Sequence, residues 1–269
     1  MKIPYILLAG GLLLSGCATN LMTGDKTMAL VPNSQLFASS AEQYDQTLAS
    51  SKVVKGTPDA EALARVGKKI VAAAQKWAAA QGAPDYFKDY KWEFNLIQDD
   101  TVNAWAMPGG KVVFYTGILA VTKNDAGIAV VMGHEISHAI LNHGQQSASA
   151  GLLQQAGLTG ASILLGYSGM SQVGQDLSMT ALGTGSNVLG VLPFSRSHES
   201  EADMLGLKLM AIAGYDPNEA VAFWQRMDAL GDGGSGPAWL STHPSNENRI
   251  NDIKNAIPAA KQSAAQIGA

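Results

Sequence analysis

Between residues 131 and 138 the chain reads Val131-Met132-Gly133-His134-Glu135-Ile136-Ser137-His138, and this H-E-x-x-H spacing restricts what the chain can fold into more than any other feature. Positions four apart share one face of an α-helix, so both imidazoles can bind one Zn²⁺ while Glu135, turned slightly aside, reaches a water on that metal. With this chain's own His and Glu content, chance yields such a match in only about 0.3% of cases, so coincidence is a poor account of it. A helix is expected here independently, from Asp125 to Asn142 with Gly144 as its terminal glycine. Val130, Val131, Ile136 and Ile140 surround the histidines with apolar groups, and buried polar groups need partners. A hydrolytic zinc site takes three protein ligands and keeps one open position, so a remote segment has to fold back onto this helix.

The metzincin continuation would require Gly at 141 and His at 144, where the chain has Leu141 and Gly144. The best remaining donor is Ser195-Arg196-Ser197-His198-Glu199-Ser200-Glu201-Ala202-Asp203, on a helix expected from about Ser197 to Ala213. Glu199 and Asp203 share a face, which suits a zinc-ligating carboxylate and a second carboxylate that fixes the tautomer of a ligand histidine. Glu201 competes with Glu199 for the ligand role. His143 and His198 have weaker claims: His143, five beyond His138, points off the ligand face of a continuous helix, and both are read as supporting or surface residues.

Around this pair the rest of the chain reads as an α+β, mainly helical fold. Thr57-Pro58 opens an amphipathic helix carrying Leu63, Val66, Ile70, Val71, Ala74 and Trp77, which ends at Gly82. Trp92, Phe94 and Leu96 alternate with polar neighbours, and Val112 to Tyr115 follow the turn Met107-Pro108-Gly109-Gly110, giving two or three antiparallel strands. Residues 144–195 contain one charged group, Asp176, and are read as an apolar helical segment covering the site. Asp216-Pro217-Asn218-Glu219 caps a further helix, and a closing helix follows His243-Pro244 with Arg249, Ile250, Ile253 and Ile257. Residues 263–269 are a tail.

Lys2, the apolar run Ile3 to Leu14 and Ser15-Gly16 before the single Cys17 have the form of a secretion signal, too short to span a membrane. Leu14-Ser15-Gly16-Cys17 resembles a bacterial lipobox, which implies cleavage after residue 16 and acylation of Cys17, holding the domain at a membrane surface. Residues 17–56, polar and aperiodic, are then a lipidated N-terminus and tether followed by loosely docked structure, and 57–262 the main domain. Ala18 after Cys17 points, by the same resemblance, to the outer membrane and a periplasm-facing domain. A formal net charge of −4 gives no basic field for nucleic acid, so no nucleic-acid partner is expected.

His134-Glu135-x-x-His138 together with Glu199-x-x-Ala202-Asp203, preceded by Ser195-Arg196, resembles the HtpX, Oma and CAAX-prenyl-protease family of zinc metalloendopeptidases, in its periplasmic lipoprotein branch. The resemblance covers about residues 57–257 and implies a zincin-like domain with one Zn²⁺ per chain, acting in protein quality control on unfolded or misassembled envelope polypeptides. It also implies that the strand around Asn103, Ala104 and Trp105 is a sheet edge that pairs with an extended substrate. His243 and Arg249 match an element near the zinc; either would stabilise the oxyanion, or His243 would occupy the open metal position and silence the enzyme. The same groove would serve a chaperone or assembly factor for outer-membrane proteins with a largely latent protease site.

Overall fold

The computed structural model describes residues 17–164, 195–231, 236–243 and 248–268. Among these the element order is β1 (Cys17–Thr19), β2 (Lys26–Met28), α1 (Asn33–Ser50), β3 (Val53–Val54), α2 (Pro58–Ala80), β4 (Glu93–Ile97), β5 (Ala104–Met107), β6 (Lys111–Tyr115), α3 (Thr116–Thr122), α4 (Asp125–Ile140), α5 (His143–Leu164), α6 (Arg196–Ile212), α7 (Glu219–Gly231), α8 (Ala238–Thr242) and α9 (Arg249–Ile267). The Thr57 side chain accepts from the Ala60 N–H, as the sequence predicts, and Asn124 and Ser195 cap their helices in the same way, accepting from Gly127 and His198. The fold is mainly helical with a small sheet, as expected.

That sheet runs β3-β4-β6-β5. Its outer pairs are antiparallel, and β4 and β6 at its centre are parallel, in register Phe94 to Val112 and Leu96 to Phe114. The β5–β6 hairpin turns through Gly109 and Gly110 at φ +82° and +95°, where a side chain would be strained. Both faces of the sheet are covered. Leu96, Val112 and Phe114 join the core built by α2, α4 and α6, while Ile97, Met107 and Val113 pack with Tyr44 of α1 on the opposite face.

Helix α1 narrows the reading of residues 17–56 as a tether followed by loosely docked structure, since Asn33–Ser50 is a regular helix with a buried side. It carries few large apolar groups because its buried side consists of Ser40, Gln43 and Tyr44, a pattern with no hydrophobic period. Tyr44 is fully buried, meets Trp105 edge to face at 6.3 Å and receives a hydrogen bond from Asn95, while Phe37 of the same helix meets Tyr90 at 4.9 Å. Ahead of α1, β1 and β2 form a hairpin, and the irregular segment after it is tied to α5 by Leu30 N–H to Ser149 Oγ and by Gln145 Nε2 to the Val31 carbonyl. The expected tail at 263–269 is corrected too, since α9 continues to Ile267 and is capped by left-handed Gly268. The signal segment 1–16 and residues 165–194 of the expected apolar cover lie outside the described residues; the first part of that cover is helix α5.

Helix α4 is buried on every side from Gly127 to Ile140, so its apolar stretch has no solvent face. Its principal partner is α6. The two backbones meet at Gly133 and Gly206: a Cβ on Gly133 would lie 2.9 Å from the Gly206 carbonyl oxygen, and one on Gly206 3.0 Å from Gly133 C and His134 N. This approach, open only to glycine, brings the H-E-x-x-H helix against the helix carrying Glu199 and Asp203.

Candidate active site

His134 and His138, one turn apart on α4, point their Nε2 atoms at a common centre and lie 3.0 Å from each other. From α6, Glu199 Oε1 lies 3.3 Å from His138 Nε2, and Oε2 lies 3.4 Å from His134 Nε2. His243, at the end of α8, brings Nδ1 to 3.1 Å from both His134 Nε2 and Glu199 Oε1. Four donor atoms from three helices thus gather within 4.8 Å of one another, all on buried residues. Zinc ligands at 2.0–2.2 Å in a tetrahedron stand about 3.3–3.5 Å apart, close to the 3.0–3.4 Å spacings here, so the donor set fits that ion.

The surrounding charges suit a dication. Glu135, Glu199 and Asp203 are buried with only Arg249 among them as a permanent cation, a formal excess of two negative charges. Burial alone would lower the His134 pKa, but hydrogen bonds to Asp203 and Glu199 outweigh it and raise it to about 9. His138 is pushed well below the usual imidazole range by burial. Burial opposes ionisation of Glu199, yet its imidazole neighbours, His134 first, hold its carboxyl far below normal. Asp203 is likewise lowered against its burial, chiefly by the Arg249 charge.

Asp203 stands where the spacing predicts, with Oδ1 2.9 Å from His134 Nδ1. Glu201 points elsewhere, so the competition between it and Glu199 is resolved geometrically. Arg249 corrects an expectation. Its guanidinium is drawn into the interior, donating to Asp203 from Nε at 2.8 Å and pairing with Glu199 Oε2 at 3.0 Å, with its central carbon 3.7 Å from the Trp224 ring centre. Two carboxylates and an aromatic face hold it there, away from the groove where an oxyanion would form.

The groove is a cavity of about 130 Å³ whose wall includes Asn103, Ala104, Trp105, Glu135, His138 and His243. Strand β5 forms the sheet edge along it. Sequence reasoning missed Trp239, whose indole donates to Glu135 Oε1 at 2.7 Å; the same oxygen is 3.3 Å from His243 Nε2. Trp239 also fixes α8 beside β5, its backbone N–H bonding to the Val102 carbonyl. Its position four residues before His243, one helical turn away, was the available signal.

The family model of Peptidase family M48 matches residues 63–257. The chain is 40% identical over 174 residues to mitochondrial metalloendopeptidase OMA1 of Schizosaccharomyces pombe, covering 64% of this chain and 49% of that protein. It is 34% identical over 175 residues to mitochondrial metalloendopeptidase OMA1 of Arabidopsis thaliana, covering 65% and 33%. To the β-barrel assembly-enhancing protease of Escherichia coli it is 32% identical over 170 residues, covering 61% and 34%. The chain therefore spans about a third to a half of the length of these relatives. They overturn the outer-membrane, periplasm-facing location expected from the lipobox-like start: two of these three relatives are mitochondrial by name, and one residue beside Cys17 is too slight a signal to stand against them. Among the described residues, no helix is long and apolar enough to cross a membrane. Matched across α4, α6 and α8, and so across every donor of the cluster, the chain belongs to Peptidase family M48, whose metallopeptidases use zinc.

Proposed function

We propose that this chain is a zinc-dependent metalloendopeptidase that hydrolyses peptide bonds of unfolded or extended polypeptides in protein quality control. The observation that carries the reading is the convergence of His134, His138 and Glu199 beside the carboxylate of Glu135 at the wall of an open groove. Zinc, when bound, supplies the Lewis acidity that activates a water and polarises the scissile carbonyl. His134, His138 and Glu199 would hold it, and Asp203, accepting from His134 Nδ1, would leave Nε2 of that ring free to act as a ligand. Glu135 takes the proton of the attacking water and passes it to the leaving amide nitrogen. The β5 edge from Asn103 to Trp105 aligns an extended chain by main-chain hydrogen bonds. Trp239 orients the Glu135 carboxylate through its indole N–H.

A second reading is favoured by one observation: His243 Nδ1 stands inside the ligand cluster. With that position filled, the protein would bind chains in its groove and cut rarely, as a chaperone or assembly factor. The name of the E. coli relative, β-barrel assembly-enhancing protease, supports such a role. Glu135→Gln separates the two. It should retain stoichiometric zinc and abolish cleavage of an unfolded protein such as casein, while an assembly role would survive it. Turnover in that variant, or purified protein without a transition metal, overturns the hydrolytic mechanism. Acylation of Cys17, which is exposed at the start of β1, belongs to the same proposal. Labelled fatty acid should be incorporated into the full chain and lost in Cys17→Ser; label retained by that variant refutes it.

A further inference from the structure

We propose that His143 is a positioning residue for the ligand His138, and that the N-terminal hairpin supports it through Asn20 and Glu201. This rests on the zinc reading of the site. Its starting point is a break in the helix. On a continuous helix a residue five beyond His138 would point about 140° away. Instead α4 stops at Ile140, Asn142 adopts a left-handed φ of +56°, and His143 opens α5. The turn carries the imidazole back alongside His138, with the two Nδ1 atoms 2.9 Å apart and His143 fully buried.

The protons in this line are fixed by chemistry. A neutral imidazole has one N–H and one acceptor nitrogen. His138 turns Nε2 toward the other donors, so when that nitrogen binds metal its proton must sit on Nδ1. His138 Nδ1–H then donates to His143 Nδ1, which leaves the His143 proton on Nε2. That atom faces Glu201 Oε2 at 3.5 Å, and Asn20 Nδ2 donates to the same oxygen at 2.7 Å. His198 stacks on the His143 ring at 4.2 Å and 11°, which sets the plane of the imidazole.

His134 receives its support from a carboxylate directly, through Asp203; His138 receives it through one interposed imidazole. Groups that orient a ligand histidine in this way are worth about 10- to 100-fold in metal affinity. Glu201 is partly exposed, with a quarter of its side chain accessible, so its share is smaller than that of His143. Asn20 precedes the family-matched span of 63–257, so part of the metal support comes from a segment outside that span.

The experiment measures the zinc dissociation constant of the full chain by competition with a chelator, together with kcat and KM on casein at saturating zinc. His143→Leu keeps the bulk but offers no acceptor, and should raise the zinc Kd about 10- to 100-fold, with KM unchanged. His143→Asn places an oxygen near the former Nδ1 and should bring the Kd back to within about threefold of wild type. Asn20→Leu and Glu201→Gln should raise it by a smaller factor, and they keep the test available if His143→Leu does not fold. In the cobalt-substituted protein the visible spectrum should change in the Leu variant and revert in the Asn variant. Wild-type affinity in His143→Leu, or no recovery in His143→Asn, overturns the positioning role. A wild-type chain that binds no zinc overturns the site reading as well, which tells the two failures apart.

Discussion

Replacing Gly206 with Ala adds one methyl group at the crossing of α4 and α6. Its carbon would lie 3.0 Å from Gly133 C and His134 N, and 3.3 Å from the Gly133 carbonyl oxygen. Carbon contacts relax at about 3.5–4.0 Å, so the helices must separate locally by about 0.5–1 Å. Overpacking of this kind costs about 1–3 kcal/mol, and the better helix propensity of Ala returns about 1 kcal/mol, leaving a net loss of about 0–2 kcal/mol. The site feels the displacement more than the stability does. Asp203 lies three residues from Gly206, about 4.5 Å along the axis, and its carboxylate must stay 2.9 Å from His134 Nδ1. Glu199 lies two turns away and must keep its 3.3–3.4 Å spacing from the histidines. Metal sites tolerate about 0.2 Å, and a 1 Å misplacement costs about 100-fold in rate. Gly206→Ala should therefore show a zinc Kd raised at least about tenfold and kcat lowered by up to about 100-fold, with a modest change in denaturation midpoint. Chelator competition and casein turnover read both quantities. A variant that is more stable than wild type, with zinc affinity unchanged, would refute the argument that this close approach sets the ligand geometry.

Arg249→Met should destabilise the metal-free protein by about 3–5 kcal/mol, because Asp203 and Glu199 are left as buried, uncompensated carboxylates; thermal unfolding with and without zinc checks this, and an unchanged midpoint contradicts it. Trp239→Phe removes the indole N–H from Glu135 while keeping the aromatic packing with Phe223 and Trp224, so kcat should fall about tenfold with zinc stoichiometry intact. Burial raises the Tyr44 hydroxyl from 10 to about 12. The unfolded chain then loses its proton first, so this contribution to stability is complete below pH 10 and declines as pH rises toward 12. Tyr44→Phe should flatten that alkaline decline in denaturant titrations at pH 8 and 11; an identical slope in both proteins excludes Tyr44 as its source.

Much of the site was legible because it lies on helices whose period and caps are strong. His134 and His138, and Glu199 and Asp203, declare their faces through four-residue spacing, Glu135 stands beside the first of them in the H-E-x-x-H motif, and α2 announces itself by Thr57 and Pro58. What stayed hidden depends on neighbours far away in the chain. Tyr44, Gln43 and Ser40 make a buried side too polar to show as a stripe, so α1 was read only as tether and loosely docked structure. Alternation at Phe94 and Leu96 marks a strand but not its partner, so the parallel pairing with Val112 and Phe114 was not visible. His143 was misplaced because the left-handed turn at Asn142, rather than Gly144, ends the helix. Arg249 was placed near the zinc as a candidate partner of the oxyanion, because nothing in its own segment reveals the two carboxylates and the Trp224 face that hold it.

The enclosure of α4 makes the floor of this site immovable. From Gly127 to Ile140 no residue can shift without disturbing the protein interior, so two imidazoles and the proton acceptor share the rigidity of the domain itself. Any adjustment of access must then fall to the rim, where five-residue α8 and the four-residue strand β5 face each other across the opening. Because Trp239 and His243 on the α8 side touch the reaction centre itself, substitutions that alter entry with least effect on the chemistry fall on the β5 side of that border.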